Sequence, residues 1–204
     1  MSAPPDVRVC FLGDSLTAGV GDPTGAGWVG PVSAAAREAG WQLTAYGLGV
    51  RRDTSVDVAG RWLDEARRRL RDGDRYGAVF AFGTNDVDVL DGRRRVDRQH
   101  SLTTLAGLLA DAEAAGWPVL VIGPPPVADG DASARAADLA DGMAEVCAGT
   151  HVPFVDLGPL AADAVWTAEV AAGDAVHPSA AGYRRLAAVV APAFTRWLSA
   201  GALR

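Results

Sequence analysis

The stretch Val9 to Gly19, VCFLGDSLTAG, decides how this chain is read. Val9 to Leu12 form an unbroken apolar run, and such a run fits a strand covered on both faces, as in a parallel sheet. The strand ends near Gly13 and delivers Ser15, with its acidic neighbour Asp14, just beyond its carboxyl end. Open α/β sheets bind their ligands at that edge.

Working outward, short apolar runs at Val7 to Leu12, Gln42 to Tyr46, Tyr76 to Phe82, Val119 to Ile122 and Phe154 to Val155 predict five strands. Between them Val56, Ala59, Leu63, Ala66 and Leu70 step by three and four, as do Leu102, Leu105, Leu109 and Ala112, so both segments are expected as amphipathic helices. Further helices are expected at Val29 to Ala39, Ala132 to Ala148 and Ala180 to Leu198, the last kinked or broken near Pro192. Alternating strands and helices of these lengths require parallel pairing with helices on both faces. The expected fold is therefore a flavodoxin-like three-layer α/β/α sandwich around a five-stranded parallel sheet. The 204 residues, 49% of them hydrophobic, suit one domain spanning 1–204. Pro124 to Pro126 with the following ADGDASA read as a mobile surface loop.

Composition excludes several classes of function. A formal net charge of −6 disfavours a nucleic-acid partner, which needs a basic surface. The arginine runs Arg67 to Arg69 and Arg93 to Arg95 lie among acidic residues and read as solvated faces. No export signal and no membrane span is legible, so a cytoplasmic location is expected, with the distant Cys10 and Cys147 kept as buried thiols. All nineteen cationic residues are arginine, which removes the phosphate-loop lysine, the Schiff-base lysine and the serine–lysine dyad. No cofactor and no metal is expected. The sequence specifies no oligomeric state.

The loops that meet at the carboxyl edge carry the parts of a nucleophilic site. Asp174 and His177 are three residues apart, so one turn brings the carboxylate against one imidazole nitrogen and leaves the other to face Ser15. An ordinary imidazole pKa of ~6.5 suits alternating base and acid roles at neutral pH. Pro178 is expected to start the next helix. The Asn85 amide and the backbone N–H of Ser15, read as lying at a helix start, are donors for a developing oxyanion, and a third donor is expected from the loop GLGVRRDTS after the second strand. His100 and His151 have no carboxylate three residues upstream and read as surface or loop residues, Asp14 and Asp86 as structural acceptors, and Trp28 and Trp166 as packing residues.

Gly13-Asp14-Ser15-Leu16, Gly83-Thr84-Asn85-Asp86 and Asp174-Ala175-Val176-His177-Pro178, taken in order, resemble the blocks of the SGNH, or GDSL-type, hydrolase superfamily across nearly the whole chain. The resemblance implies a carboxylic ester hydrolase for small substrates, with Ser15 as nucleophile, His177 and Asp174 completing a triad, and Ser15 and Asn85 in the oxyanion hole. The second block departs from the family's usual NxGxxGDTS: Gly47 stands for asparagine and Arg52 for the glycine whose N–H is a donor. The Arg52 backbone is the expected third donor, with Gly49 as its rival, and the Arg52 guanidinium is placed to roof the pocket. Acyl transfer to an alcohol, or deacylation of carbohydrates or lysophospholipids, would use the same triad. A different class, nucleotide binding, is suggested by Gly25-Ala26-Gly27-Trp28-Val29-Gly30, which fits GxGxxG. Its placement argues against it, because the fingerprint should follow the first strand directly and find an acidic residue at the end of the second.

Overall fold

The computed structural model describes residues 4–200. Five strands form one parallel sheet: β1 (Asp6–Gly13), β2 (Gln42–Gly49), β3 (Arg75–Ala81), β6 (Val119–Ile122) and β7 (Phe154–Val155), in the order β2-β1-β3-β6-β7. This is the flavodoxin-like order, and the chain reverses its direction of travel across the sheet between β1 and β3. Strand β1 pairs with β2 over its whole length and with β3 from Val7 to Gly13.

The apolar run of β1 is explained by what covers it. Val7, Val9 and Phe11 enter a core with α1 (Val29–Glu38) and α6 (Ala180–Ser199), where Phe11 meets Trp28 edge-on at 5.6 Å. Cys10 and Leu12 face the opposite core, with α2 (Ser55–Arg69) and α3 (Arg98–Ala114), where Trp62 stands edge-on to Phe80 at 5.1 Å. With two helical layers there is no wet face along Val9 to Leu12, and the polar residues of β1, Asp6 and Arg8, lie at its amino end, where they pair with each other. Both cysteines are buried free thiols, pushed up to about 12 by that burial.

Four expectations are corrected. Helix α6 is continuous through Pro192, so the alternative of a break there is removed; Pro192 is exposed, so the carbonyl it leaves unpaired faces water, while Val190, Phe194 and Trp197 are buried on the core side. Pro124 and Pro125 are buried, and Asp129 caps α4 (Gly130–Gly149), so most of ADGDASA is helix rather than mobile loop. Arg93 and Arg94 belong to a hairpin, β4 (Val89–Leu90) with β5 (Arg93–Arg94), and Arg95 turns inward to donate from Nη2 to the Arg52 carbonyl at 2.9 Å. Pro178 lies outside α6, whose N-cap is Ser179. A 3-10 turn (Gly158–Ala162) and α5 (Ala164–Ala172), capped by Asp163, add to the expected elements.

Candidate active site

Beyond β1 the chain enters tight turns, and α1 begins only at Val29, so Ser15 does not sit at a helix start as the sequence suggested. Asp14 shapes the first turn: its Oδ1 accepts the Leu16 N–H at 2.9 Å, and its carbonyl accepts the Ala18 N–H at 3.0 Å. Gly13 is required beneath it, because a Cβ there would lie 2.1 Å from the Ala81 carbonyl oxygen on β3. Ser15 is 6% exposed, at the β1 edge of the switch point.

His177 arrives from the loop between α5 and α6, 162 residues away, and its Nε2 lies 2.7 Å from Ser15 Oγ. Its Nδ1 lies 2.7 Å from Asp174 Oδ2, while Asp174 Oδ1 accepts the backbone N–H of His177 at 2.9 Å and of Val176 at 3.1 Å. Ala175 adopts φ +70° to close that turn. Burial works against ionisation of Asp174, but the His177 N–H, the imidazole and the Val176 N–H outweigh it and hold the carboxyl at about 2. A constant carboxylate at Nδ1 orients the ring and favours Nε2 as the basic nitrogen. The Tyr183 hydroxyl donates to the Val20 carbonyl at 2.6 Å and ties α6 to the serine turn.

The third part comes from the loops after β2 and β3. The Asn85 amide nitrogen donates to the Asp53 carbonyl at 2.9 Å and lies 3.4 Å from Asp14 Oδ2. Arg52 takes φ +69°, the left-handed region that favours glycine, inside a turn closed by Asp53 N–H to the Val50 carbonyl at 3.3 Å. Among the described residues the N–H groups of Ser15 and Arg52 have no protein acceptor. The Arg52 side chain is exposed and forms no ion pair among the described residues. Gly49 instead pairs with Gly13 across the sheet and packs its Cα on the serine turn.

Two scaffolding groups hold these loops, and the first of them escaped the sequence reading. Arg61 donates to Asp53 Oδ2 at 2.7 Å and to the carbonyls of Gly13 and Leu48 at 2.9 and 3.0 Å, clamping β1, β2 and the Arg52 loop together. It lies opposite the expected stripe of Val56, Ala59 and Leu63, but the face that α2 buries is Ser55, Val58, Trp62 and Ala66, with Val56 exposed. Asp86, expected as a structural acceptor, is buried and accepts the Ser55 N–H at 2.9 Å and the Ser101 hydroxyl at 2.7 Å, with the Ser55 hydroxyl as a third donor. Trp28 and Trp166 are buried, and His100 and His151 are exposed. The Gly25 to Gly30 stretch follows the serine turns rather than β1, and its Gly27 packs against Gly19, so it does not form a dinucleotide-type strand-to-helix turn. Among the described residues no group of three or more His, Cys, Asp or Glu side chains is placed to hold a metal ion, and no helix is long and apolar enough to cross a membrane.

A serine–imidazole–carboxylate chain at the switch point of a flavodoxin-like sheet defines the class as an α/β/α hydrolase of the SGNH type. The particular family follows from comparison with known proteins. Residues 11–185 match the GDSL-like lipase/acylhydrolase family, and the chain belongs to it and so to the esterase/lipase class of enzymes. Among solved structures it is similar to a lipase/acylhydrolase from Enterococcus faecalis (25% identity, 97% of each chain covered, TM-score 0.76). It is also similar to an acetylxylan esterase from Geobacillus stearothermophilus (20% identity, 100% and 99% covered, TM-score 0.76). A GDSL-like lipase from Bacteroides thetaiotaomicron shares the fold (20% identity, 96% and 92% covered, TM-score 0.68). No curated protein matches the chain in sequence.

Proposed function

We propose that the protein hydrolyses carboxylic esters of small substrates through an acyl-enzyme on Ser15. The observation that carries this is the unbroken chain from Ser15 Oγ through His177 to Asp174, with 2.7 Å at both imidazole contacts. His177 Nε2 takes the Ser15 proton as Oγ attacks the ester carbonyl, and Asp174 stabilises the resulting imidazolium without itself being protonated. The carbonyl oxygen becomes an oxyanion, which the N–H groups of Ser15 and Arg52 and the Asn85 amide receive. Collapse of the intermediate breaks the bond to the alkoxy oxygen, and His177 returns its proton to the departing alcohol. Water then repeats the sequence on the acyl-enzyme and regenerates Ser15. The similarity to an acetylxylan esterase supports esters with a short acyl group as the first substrates to try.

Treatment with a fluorophosphonate should add its mass at Ser15. Ser15→Ala should lose several powers of ten in kcat toward p-nitrophenyl esters of graded acyl length, run beside acetylated sugars. Labelling at another residue, or full turnover by Ser15→Ala, would refute the assignment.

A further inference from the structure

The proposed reaction leaves one buried group in the site without a task. Asp14 is 1% exposed, and no arginine pairs with it among the described residues. Its Oδ1 is occupied by the Leu16 N–H at 2.9 Å. Its Oδ2 faces the Asn85 amide nitrogen at 3.4 Å, and the Asp53 carbonyl lies on the same nitrogen at 2.9 Å.

A primary amide has a donor end and an acceptor end of nearly the same shape, so its environment decides which end lies where. Around Asn85 two oxygens converge on one end. Reversing the amide would set its Oδ1 against the Asp53 carbonyl and the Asp14 carboxyl group. It would also leave buried acceptors unmatched. The hydroxyls of Thr17 and Thr84 border the same small cavity as Asp14, but both are buried and, among the described residues, neither has a hydrogen-bond partner, the amide included. Asp14 is therefore the side-chain oxygen that sets the donor end of Asn85.

We propose that Asp14 is a positioning residue of the oxyanion hole, its Oδ2 holding the Asn85 amide with the nitrogen toward the serine turn and so acting on the reaction through Asn85. The inference rests on the proposed function, in which one N–H of that nitrogen stays on the Asp53 carbonyl and the other, which faces Asp14 only across a long 3.4 Å contact, is shared with the oxyanion. It gives the acidic residue of Gly13-Asp14-Ser15 two separate tasks, one per oxygen: Oδ1 shapes the nucleophile's turn and Oδ2 orients the donor across the switch point.

The test is a double-mutant cycle on the full chain with one neutral p-nitrophenyl ester, reading kcat and KM separately for wild type, Asp14→Asn, Asn85→Ala and the double variant. Asp14→Asn keeps an oxygen for the Leu16 N–H but can turn an NH2 group toward Asn85. It should lower kcat by about tenfold or more at nearly constant KM, and should cost less than about twofold once Asn85 is already alanine. Asp14→Ser, which also keeps an acceptor for Leu16 and removes the group facing Asn85, should give the same pattern. Losses that multiply in the double variants, or that appear in KM, would overturn the inference, because a merely structural aspartate acts independently of Asn85. Failure of both single Asp14 variants to fold, followed by thermal melts, would assign the residue to the fold and overturn it as well. A wild-type chain that turns over no ester would instead strike the proposed function itself.

Discussion

Gly49 and Gly47 lie two residues apart on β2, yet replacing them with alanine should have opposite consequences. A Cβ on Gly47 meets nothing within 4 Å, whereas one on Gly49 would lie 2.2 Å from the Ala18 nitrogen, 2.6 Å from the Asp14 carbonyl oxygen and 2.6 Å from the Thr17 carbonyl carbon. All three are backbone atoms of the turn that carries Ser15, so no side chain can swing away to make room. Ordinary contact begins near 3.4 Å, so β2 and the turn must separate by about 1 Å. The 2.7 Å contact between Ser15 Oγ and His177 Nε2 spans that turn and the α5–α6 loop, and has no slack for such a shift. A displacement of about 1 Å from reacting geometry costs on the order of 10² in rate. Gly49→Ala should therefore lose about 10²-fold in kcat on a neutral p-nitrophenyl ester, with a clear fall in Tm. Gly47→Ala should stay within about twofold of wild type, as exposed substitutions without a contact generally do. Circular-dichroism melts and steady-state kinetics on the two variants are sufficient. Full activity in Gly49→Ala would show that the turn tolerates the shift and that close packing on β2 does not position Ser15.

Arg52→Gly keeps the backbone N–H and relieves a left-handed residue at φ +69°, while the glycine adds chain entropy of about 0.5–1 kcal/mol to the unfolded state. Its kcat on a neutral ester should hold within about threefold, against a loss of about 10²–10³ for Asn85→Ala; a collapse in Arg52→Gly would make the side chain itself catalytic. Two carboxyls set opposite slopes of stability with pH. Burial first, then the nearby Asp86 and Asp53, push Asp14 up to about 7 against the opposing Leu16 N–H. The stability tied to its neutral form is present below pH ~4 and lost as pH rises toward 7, on the order of 4 kcal/mol. The fall in urea-unfolding free energy from pH 5 to 8 should shrink in Asp14→Asn, and an unchanged fall would refute this. Asp174, held at about 2, contributes stability above pH ~4 that is lost as pH falls through 2, so Asp174→Asn should blunt only the acid limb of the same titration.

Much of this molecule is decided by local chemistry, and local chemistry is legible in a sequence. The apolar run of β1 requires cover on both faces, and the three-residue step from Asp174 to His177 fits a single turn whatever lies around it. Arg52 in place of a glycine marked a backbone position that the structure finds at positive φ. Long-range packing decided the rest. The β2-β1-β3-β6-β7 order brings Ser15 within 2.7 Å of a histidine 162 residues away. Arg61 has no distinguishing sequence context, and only the fold sets its guanidinium against the carbonyls of Gly13 and Leu48. Pro124 and Pro125 carry the composition of a loop but are buried, and α6 passes Pro192 because tertiary burial of Phe194 and Trp197 outweighs one lost backbone bond. Which end of the Asn85 amide carries the nitrogen is set by Asp53 and Asp14, residues 32 and 71 positions away, whose oxygens converge on it only in the folded sheet. Side-chain type and short spacing fix what a group can do, but the direction in which it does so depends on neighbours that only folding supplies.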